Sequence, residues 1–402
     1  MNISLPFVQA IPILKHIQKN GFEAYFVGGS VRDFIMNREI NDVDITTSAT
    51  PDEIESLFTH TIPVGKEHGT INVVWENENY EITTFRTESE YINHRRPSEV
   101  HFVRDLYLDV KRRDFTINAI AMDTEFNLYD YFNGQADINN KVIRTVGKPV
   151  DRFSEDALRI IRGLRFKSQL GFDIDSYTFR AMEEHIEDIQ YLSIERIILE
   201  LKKLLLGQYI NKAIIDLHHL NFWEFVPYFN LIQMNAYQMI HPITLEQFIA
   251  ITTYKSRVNQ DIKCLKLSNA STNYITQFKN ALIQLNCITN EKSLYQFVYD
   301  FGISIALDIE HQRENLMCNH ISLPSQSNYN ASLIQHIWQS LPIQNRKMLQ
   351  INGKDLMEVL NKNSGPWLKK VLRDIECAVV QSEVANRKKD LIEWVKLNVK
   401  IS

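Results

Sequence analysis

The chain has 402 residues, of which 44% are hydrophobic and 23% charged, and its formal net charge is −5 at pH 7. This composition is typical of a folded globular protein of roughly two to three domains, and it excludes a disordered chain. Four cysteines without CxxC spacing exclude a disulfide scaffold and a zinc site, so we expect free, mostly buried thiols in a reducing compartment.

No segment of the sequence predicts secretion or a membrane span. Residues 1–20 lack a leading basic region and contain Pro6 and Pro12, so we expect no secretory signal. Residues 225–245 carry no formal charge, yet they hold several Asn, Gln and His side chains that would be costly in hydrocarbon. The sequence therefore predicts a cytoplasmic protein with no membrane partner.

Residues 1–140 alternate short helix-like and strand-like segments. The predicted elements, in chain order, are a helix at about 7–19, a strand at 25–27, a helix after Val31, a strand at 42–47, a helix from 51, and strands at 70–75 and 80–85. Thr50 suits the N-cap of the third helix and Pro51 its first position. Asn77 and Asn79 are expected in the turn between the last two strands.

The pattern changes along the rest of the chain. Residues 86–104 are polar, charged and without periodicity, so we expect a long mobile loop, a kind of segment that is often functional. After residue 140, helix-sized segments continue to the C-terminus, among them 154–168, 176–186 and 193–206. The sequence therefore predicts an α+β protein, in which an α/β head over 1–140 is followed by all-α regions at 141–230 and 231–402.

One stretch of the head carries most of the chemical information. Gly28-Gly29-Ser30-Val31-Arg32-Asp33 is followed, after eight residues, by Asp42-Val43-Asp44. A glycine pair lets the backbone approach a triphosphate because no Cβ intervenes. On a strand, Asp42 and Asp44 would share a face, and two carboxylates there can hold hard cations for in-line displacement at phosphorus. An ordinary turn and a solvated strand end are the alternatives, but the combination favours a metal-dependent nucleotidyl-transfer site.

The first helical segment after the head carries a second pattern. We expect its helix to open with Ser154 as the N-cap, and Asp156, Arg159 and Arg162 to form one stripe that Arg165 extends. An aspartate that accepts from an amino group beside an arginine that donates to a ring nitrogen would accept cytosine and adenine and reject uracil and guanine. Arg162 and Arg165 would then face phosphates. The alternative is an ordinary surface helix with ion pairs between residues three apart.

Further charged residues lie close to these motifs in the sequence. We expect Arg113 to contact the nucleotide, because arginine suits bidentate contacts with phosphate. A structural ion pair between Arg113 and Asp114 is the alternative. Arg32 is a second candidate for phosphate contact, or else a partner of Asp33. Glu81 is a weaker candidate for a third carboxylate near the metal ions.

In their order along the chain, these motifs resemble those of class II tRNA nucleotidyltransferases and, within that class, of bacterial CCA-adding enzymes. The motifs that carry the resemblance are Gly28 to Asp33 with Asp42-Val43-Asp44, Arg112 to Ala119, Asp130 to Gly134, Glu155 to Arg159, and Ser193 to Arg196. They cover residues 20–230, and the rest of the chain resembles these enzymes more loosely. The resemblance implies a polymerase-β-like head followed by a helical neck, body and tail in a seahorse-like arrangement.

The resemblance also implies an activity and a set of site residues. The activity is addition of C, C and A to the tRNA 3′ end from CTP and ATP, without a nucleic-acid template and with release of diphosphate. The residues implied to bind Mg²⁺ and to catalyse the reaction are Asp42 and Asp44. Those implied to contact the nucleotide are Gly29, Arg32, Arg113, Asp156, Arg159, Arg162 and Arg165. Residues 141–230 would select the nucleobase and bind RNA, and 231–402 would bind tRNA.

Related enzymes share much of this head, so a poly(A) polymerase and a partial CC-adding or A-adding enzyme are the alternatives. CC-adding enzymes typically lack the loop that full CCA enzymes use to switch from CTP to ATP, and residues 87–97 match the full-enzyme pattern. An inactive RNA-binding module is disfavoured by the intact Asp42 and Asp44 pair, and a small-molecule nucleotidyltransferase by the long helical half. The sequence leaves open which tRNA features the tail contacts and whether the chain forms a homodimer.

Overall fold

The structure is a computed structural model that describes residues 5–88, 91–92, 96–97, 100–256, 261–324 and 329–399. The described residues divide into two compact units, one within Met1–Leu231 and the other within Ile232–Ser402. None of the described helices has the length and apolar run needed to cross a bilayer.

All the described strands lie in the first unit, and helices occur in both units. The strands are β1 (Ala24–Val27), β2 (Asp44–Thr47), β3 (Thr61–Ile62), β4 (Thr70–Trp75), β5 (Glu78–Thr84), β6 (Arg86–Glu88), β7 (Tyr91–Ile92), β8 (Arg96–Pro97), β9 (Val100–Phe102), β10 (Ile120–Met122), β11 (Leu128–Asp130), β12 (Val142–Ile143) and β13 (Asp173–Ile174). The helices of the first unit are α1 (Leu5–Lys19), α2 (Gly29–Ile35), α3 (Pro51–Leu57), α4 (Leu106–Lys111), α5 (Gly134–Asn139), α6 (Pro149–Glu155), α7 (Leu158–Leu170), α8 (Ser176–His185), α9 (Ile194–Leu205) and α10 (Ile210–His219). Those of the second unit are α11 (Leu245–Ser256), α12 (Asn269–Leu285), α13 (Glu291–His311), α14 (Arg313–Cys318), α15 (Ala331–Ser340), α16 (Gly353–Leu360), α17 (Trp367–Val380) and α18 (Lys388–Asn398).

A seven-stranded mixed sheet forms the base of the first unit, in the order β11-β10-β1-β2-β5-β4-β3. Its neighbouring strands are antiparallel except β2 and β5, which are parallel. Side chains alternate between its faces. Phe26 and Ile45 pack into the larger core, to which α1 contributes Phe7, whereas Val27 packs into a smaller cluster with Phe85 on the other face.

Helices α6 to α10 complete the first unit, and α7 packs against both α9 and α10. Gly163 allows α7 to approach the head closely. A Cβ at this position would lie 3.0 Å from the ring of Phe115 and 2.6 Å from the terminal methyl group of Met182. Any larger side chain would push the helix away from these neighbours, so this glycine helps to set the distance between α7 and the head.

Several local predictions are confirmed. The N-cap of α3 is Thr50, whose hydroxyl accepts the N–H of Glu53 at 3.4 Å, while the Glu53 carboxylate accepts the N–H of Thr50 at 2.6 Å. Pro51 occupies the first helical position. The helix predicted at about 7–19 is α1, and the strand predicted at 70–75 is β4. These elements depend on contacts within a few residues, which a sequence pattern can capture.

Three predictions about strands and turns are wrong in detail. The strand expected at 42–47 begins at Asp44, because its partner β1 ends at Val27, opposite Asp44, and leaves Asp42 without a strand to pair with. The turn before β5 consists of Glu76 and Asn77, both at positive φ, whereas Asn79 lies within β5. The loop expected at 86–104 contains two antiparallel pairs where it is described, β6 with β9 and β7 with β8. Residues 89–90, 93–95 and 98–99 of that segment lie outside the described residues.

The expectation for the cysteines is half right. All four thiols are free, but Cys264 and Cys287 are exposed, and Cys318 and Cys377 are half-buried. The exposed pair lies at element ends: Cys264 is in a one-turn 3₁₀ helix, and Cys287 follows the last turn of α12. Positions at helix ends have fewer neighbours than the middle of a buried face, so the prediction of mostly buried thiols is wrong.

Candidate active site

A pocket of about 690 Å³ lies in the first unit and is lined by residues of the sheet, of the segment after α4 and of α7. All the sequence-predicted site residues line it except Asp42. Asp42 lines a neighbouring pocket of about 440 Å³, and Asp44 and Glu81 line both. Asp44 and Glu81 therefore lie where the two pockets meet.

The glycine pair forms the bend between β1 and α2. Gly28 has a φ of +79°, a conformation that L side chains rarely adopt. A Cβ at Gly28 would lie 3.3 Å from Nη1 of Arg113 and 3.3 Å from Oδ2 of Asp44. At Gly29 the nearest atom to a Cβ would be Nη2 of Arg32, at 3.6 Å. The bend therefore brings bare backbone between a carboxylate and two guanidinium groups.

The two aspartates flank a buried residue beside this bend. Asp44 is the first residue of β2 and lies opposite Val27 in the antiparallel pair with β1. Asp42 and Asp44 are exposed, whereas Val43 between them is buried. Both aspartates line the smaller pocket, although Asp42 precedes the strand.

Glu81 adds a third negative charge near Asp44. It precedes Ile82, which pairs with Ile45 in the parallel register of β2 and β5. Although Asp44 is exposed as a whole residue, the protein around its carboxyl displaces part of the surrounding water, which raises its pKa. Arg113 opposes this shift, and the charges of Glu81 and Asp42 add to it. The accumulation of negative charge on this edge of the pocket would be relieved by a bound cation.

The donor set suits a metal ion that is shared with a substrate. Across the described parts of the chain, no three His, Cys, Asp or Glu side chains are grouped so that they could hold a metal ion by themselves. Asp42 and Asp44 therefore fit an ion that takes its other oxygen ligands from a phosphate and from water. Mg²⁺ is bound in this way in many nucleotide sites, through one or two carboxylates and the phosphates of the substrate.

A fully buried aspartate that sequence reasoning missed orients the arginines after α4. Oδ1 of Asp109 accepts hydrogen bonds from Nε and Nη2 of Arg112 at 3.0 and 2.8 Å, and Oδ2 lies 3.6 Å from Nη2 of Arg113. Nε of Arg113 is buried and makes no hydrogen bond with any described residue. The signal was present in the sequence, because Asp109 precedes these arginines by three and four residues.

Two predicted phosphate contacts, Arg32 and Arg162, are held in place by neighbouring side chains. Arg32 is buried and forms two hydrogen bonds with Asp33 at 3.0 Å, so the predicted alternative pairing exists. Its Nη1 also donates to the Asn118 side chain at 2.7 Å. Arg162 donates to Asp114 at 2.6 Å, so Asp114 pairs with this residue of α7 and not with its sequence neighbour Arg113.

The helix predicted at 154–168 is broken into α6 and α7. The prediction that Asp156, Arg159 and Arg162 form one stripe of a single helix is therefore wrong. Ser154 lies inside α6, and Asp156 lies at the break before α7, where its carboxylate accepts the N–H of Leu158 at 3.0 Å. Its other oxygen accepts Nη2 of Arg196 at 2.6 Å. Asp156 and Arg159 nevertheless both line the pocket, because the break brings Asp156 to its wall.

The side chain of Arg159 is buried and held on several sides. It forms an ion pair with Glu155, and its Nη1 and Nη2 donate to the carbonyl oxygens of Arg152 and Arg112 at 3.0 and 3.2 Å. Sequence reasoning missed these anchoring groups, because the carbonyl of Arg112 lies 47 residues away along the chain. A guanidinium that is held this firmly can present donors in a fixed direction.

Comparison with known proteins agrees with this geometry. Residues 24–144 match the family model "Poly A polymerase head domain", 171–232 match "Probable RNA and SrmB- binding site of polymerase A", and 244–395 match "tRNA nucleotidyltransferase domain 2". CCA-adding enzymes of Staphylococcus epidermidis and Staphylococcus haemolyticus are 54% and 52% identical, over 98% of this chain and 99% of each relative. The chain belongs to the family of CCA-adding enzymes. These enzymes are tRNA nucleotidyltransferases, so the predicted family and enzyme class are confirmed.

Solved structures of CCA-adding enzymes share the fold. The CCA-adding enzyme of Bacillus stearothermophilus in complex with CTP is 33% identical, with a TM-score of 0.86 over 98% of each chain. The Thermotoga maritima CCA-adding enzyme complexed with tRNA is 19% identical, with a TM-score of 0.63 over 99% of this chain and 97% of that one, and shows the fold alone. The predicted α+β class with a polymerase-type head is therefore confirmed.

Proposed function

We propose that this CCA-adding enzyme adds C, C and A in turn to the 3′ end of tRNA, from CTP and ATP, without a nucleic-acid template and with release of diphosphate. The observation that carries the proposal is one pocket in which a positive-φ glycine bend, an acidic edge and arginines from the head and α7 converge. The relatives named CCA-adding enzymes, and the solved Bacillus stearothermophilus complex with CTP, support the same substrates.

The triphosphate would lie on the glycine bend, against the neighbouring arginines. The backbone of Gly28 and Gly29 has no Cβ to keep a phosphate away, and Arg32 and Arg113 are the nearest guanidinium groups. Arg162 and Arg165 line the same pocket from α7. Guanidinium groups pair with phosphate oxygens through two parallel hydrogen bonds, so this set fits a polyanion.

Divalent ions would be held by Asp42 and Asp44, with Glu81 close by. We propose Mg²⁺, because proteins usually bind this ion through one or two carboxylates and leave its other coordination positions to phosphate oxygens and water. Bound there, such ions would lower the pKa of the attacking 3′-hydroxyl group and neutralise the leaving diphosphate. The carboxylates of Asp42, Asp44 and Glu81 supply the negative charge that would keep the ions beside the glycine bend.

Choice of nucleobase would rest on Asp156 and Arg159. The Asp156 carboxylate can accept from the amino group of cytosine or adenine, and Arg159 can donate to the adjacent ring nitrogen. The ion pairs with Arg196 and Glu155 hold these side chains still. A fixed donor and acceptor discriminate between bases better than mobile ones, because a mismatched base cannot be accommodated by a change of rotamer.

The regions of the chain would divide the work. We assign catalysis to a head at 1–140, base selection and RNA binding to 141–230, and tRNA binding to 231–402. The matches of 171–232 and 244–395 to the polymerase and tRNA nucleotidyltransferase models support these assignments. We also propose a cytoplasmic location, because the four free thiols suit a reducing compartment.

A primer-extension assay tests the proposal. Purified full-length protein is incubated with Mg²⁺ and a tRNA that ends at the discriminator base, and with CTP, ATP or both, and the products are separated on a gel. CTP alone should give two additions, and both nucleotides should give three. Incorporation of A only, or arrest after CC, would assign the chain to the alternative enzymes. Asp44→Asn should abolish every addition, whereas the control Asp173→Asn, at an exposed position of the same unit, should not.

A further inference from the structure

Phe166 lies where three arginines of the pocket meet. The guanidinium carbons of Arg165, Arg32 and Arg162 are 4.4, 5.4 and 5.7 Å from the centroid of its ring. The ring is 5% exposed, and it packs edge-to-face against Phe115 at a centroid distance of 5.7 Å. One aromatic side chain on α7 therefore contacts positive groups from both α2 and α7.

The three guanidinium groups repel one another where they are only partly hydrated. Burial lowers the pKa of Arg165 to about 10, and the charges of Arg162 and Arg32 contribute to this shift. Glu200 compensates part of the charge, at 3.2 Å from Nη1 of Arg165. Nε of Arg165 is buried and makes no hydrogen bond in the described part of the chain. Carboxylates therefore offset part of this repulsion, and the ring of Phe166 is a further group in contact with all three cations.

The carboxylate partners of the arginines do not supply a common centre. Arg32 pairs with Asp33, Arg162 with Asp114 and Arg165 with Glu200. Each of these acids forms its ion pair with a different arginine, although the charges of Glu200 and Asp114 act on both Arg162 and Arg165. The ring of Phe166 is the group that all three arginines contact, and it lines the same pocket.

We propose that Phe166 is a positioning residue, whose π-face holds the guanidinium groups of Arg32, Arg162 and Arg165 together as a preformed receptor for the nucleotide triphosphate. The face of an aromatic ring carries partial negative charge and attracts cations within about 6 Å of its centroid. This attraction offsets the mutual repulsion of the arginines. Unlike a carboxylate, the ring has no net charge that would cancel theirs. The inference rests on the proposed function, which assigns nucleotide contacts to these arginines.

A purely structural role is the alternative, since Phe166 also packs into the hydrophobic core of the head. The two roles differ in their dependence on ring electronics. Packing depends on the shape of the ring, which fluorination changes little. Attraction of cations depends on the ring quadrupole, which weakens and then reverses as fluorine atoms are added.

A fluorination series in the full-length protein therefore separates the roles. Phenylalanine with one, three and five ring fluorines is incorporated at position 166, and the affinities for CTP and ATP are measured by calorimetry. We expect the dissociation constants of both nucleotides to rise step by step, by about tenfold over the series. The same series at Phe172, which is 2% exposed in the same core, is the matched control and should change them less than twofold.

Two conventional variants and an activity measurement complete the test. Phe166→Tyr, which keeps the ring face, should retain nucleotide affinity, whereas Phe166→Leu should lose it and raise KM more than it lowers kcat. Equal affinities throughout the series at position 166, with the unmodified chain binding CTP normally, would overturn the inference and leave the proposed function standing. Failure of the unmodified chain to bind CTP would overturn the proposed function, and the inference with it.

Discussion

Asp114, which is buried, forms an ion pair with the half-buried Arg162 that joins the head to α7. Nε and Nη2 of Arg162 both lie 2.6 Å from Oδ2 of Asp114, and Oδ1 accepts the N–H of Phe115 at 2.8 Å. We predict that Asp114→Asn destabilises the first unit, because it leaves the guanidinium of Arg162 without its charged partner. Removal of one partner from a buried pair is generally costly.

The expected magnitude follows from the pKa of Asp114. Burial raises this pKa, but Arg162, the N–H of Phe115 and Arg159 outweigh burial and lower it from 3.8 to about 2. A difference of roughly two units corresponds to about 2–3 kcal/mol of folding free energy. Because the folded pKa is the lower one, this contribution is fully present above the unfolded value of 3.8 and is lost as the pH falls through about 2.

Hydrogen exchange of peptides from α7 measures the effect within the intact chain. Asp114→Asn and Arg162→Met should each lower the opening free energy of α7 by about 2–3 kcal/mol, and the double variant by less than the sum. Acidification from pH 5 towards pH 2.5 should reduce the difference in opening free energy between the parent protein and Asp114→Asn. Lys66→Met, which removes the surface ion pairs of Lys66 with Asp52 and Glu55, is the control and should leave the opening of α7 unchanged. The reasoning would be refuted if the two single losses of opening free energy added up in the double variant, or if the difference between the parent protein and Asp114→Asn did not depend on pH.

Three further predictions concern activity. Gly28→Ala should slow nucleotide incorporation at least about tenfold, because a Cβ at a φ of +79° would crowd Asp44, whereas Gly21→Ala, at positive φ with open space around it, should not. Asp156→Ala or Arg159→Ala should relax the preference for CTP and ATP over UTP and GTP by about 5- to 150-fold, while overall incorporation slows less; equal losses for all four nucleotides would contradict the selecting role. Deletion of 88–94 should spare addition of C and impair the terminal A in the extension assay, and normal addition of A would argue against a switching loop.

Interactions between close neighbours in the chain were accessible to sequence reasoning. The capping box at Thr50 and Glu53 follows from residues three positions apart. The glycine bend before α2 follows from a diglycine between a strand-like and a helical segment. The break at Asp156 was missed, because Ser154 to Phe166 contains no proline and its pattern does not show that the Asp156 side chain accepts the N–H of Leu158 at the start of α7. At this break, Asp156 pairs with Arg196, a residue 40 positions away.

By itself, the sequence determined the family, the α+β class and the chemical types of the site residues, because motifs record which side chains are present and in what order. Tertiary structure decided which partner each charged group has. It paired Asp114 with Arg162 across 48 residues, buried Asp109 beneath Arg112, and gathered three arginines around Phe166. Backbone preferences act over a few residues, whereas ion pairs and cation–π contacts depend on the distance between elements that meet only when the chain is packed.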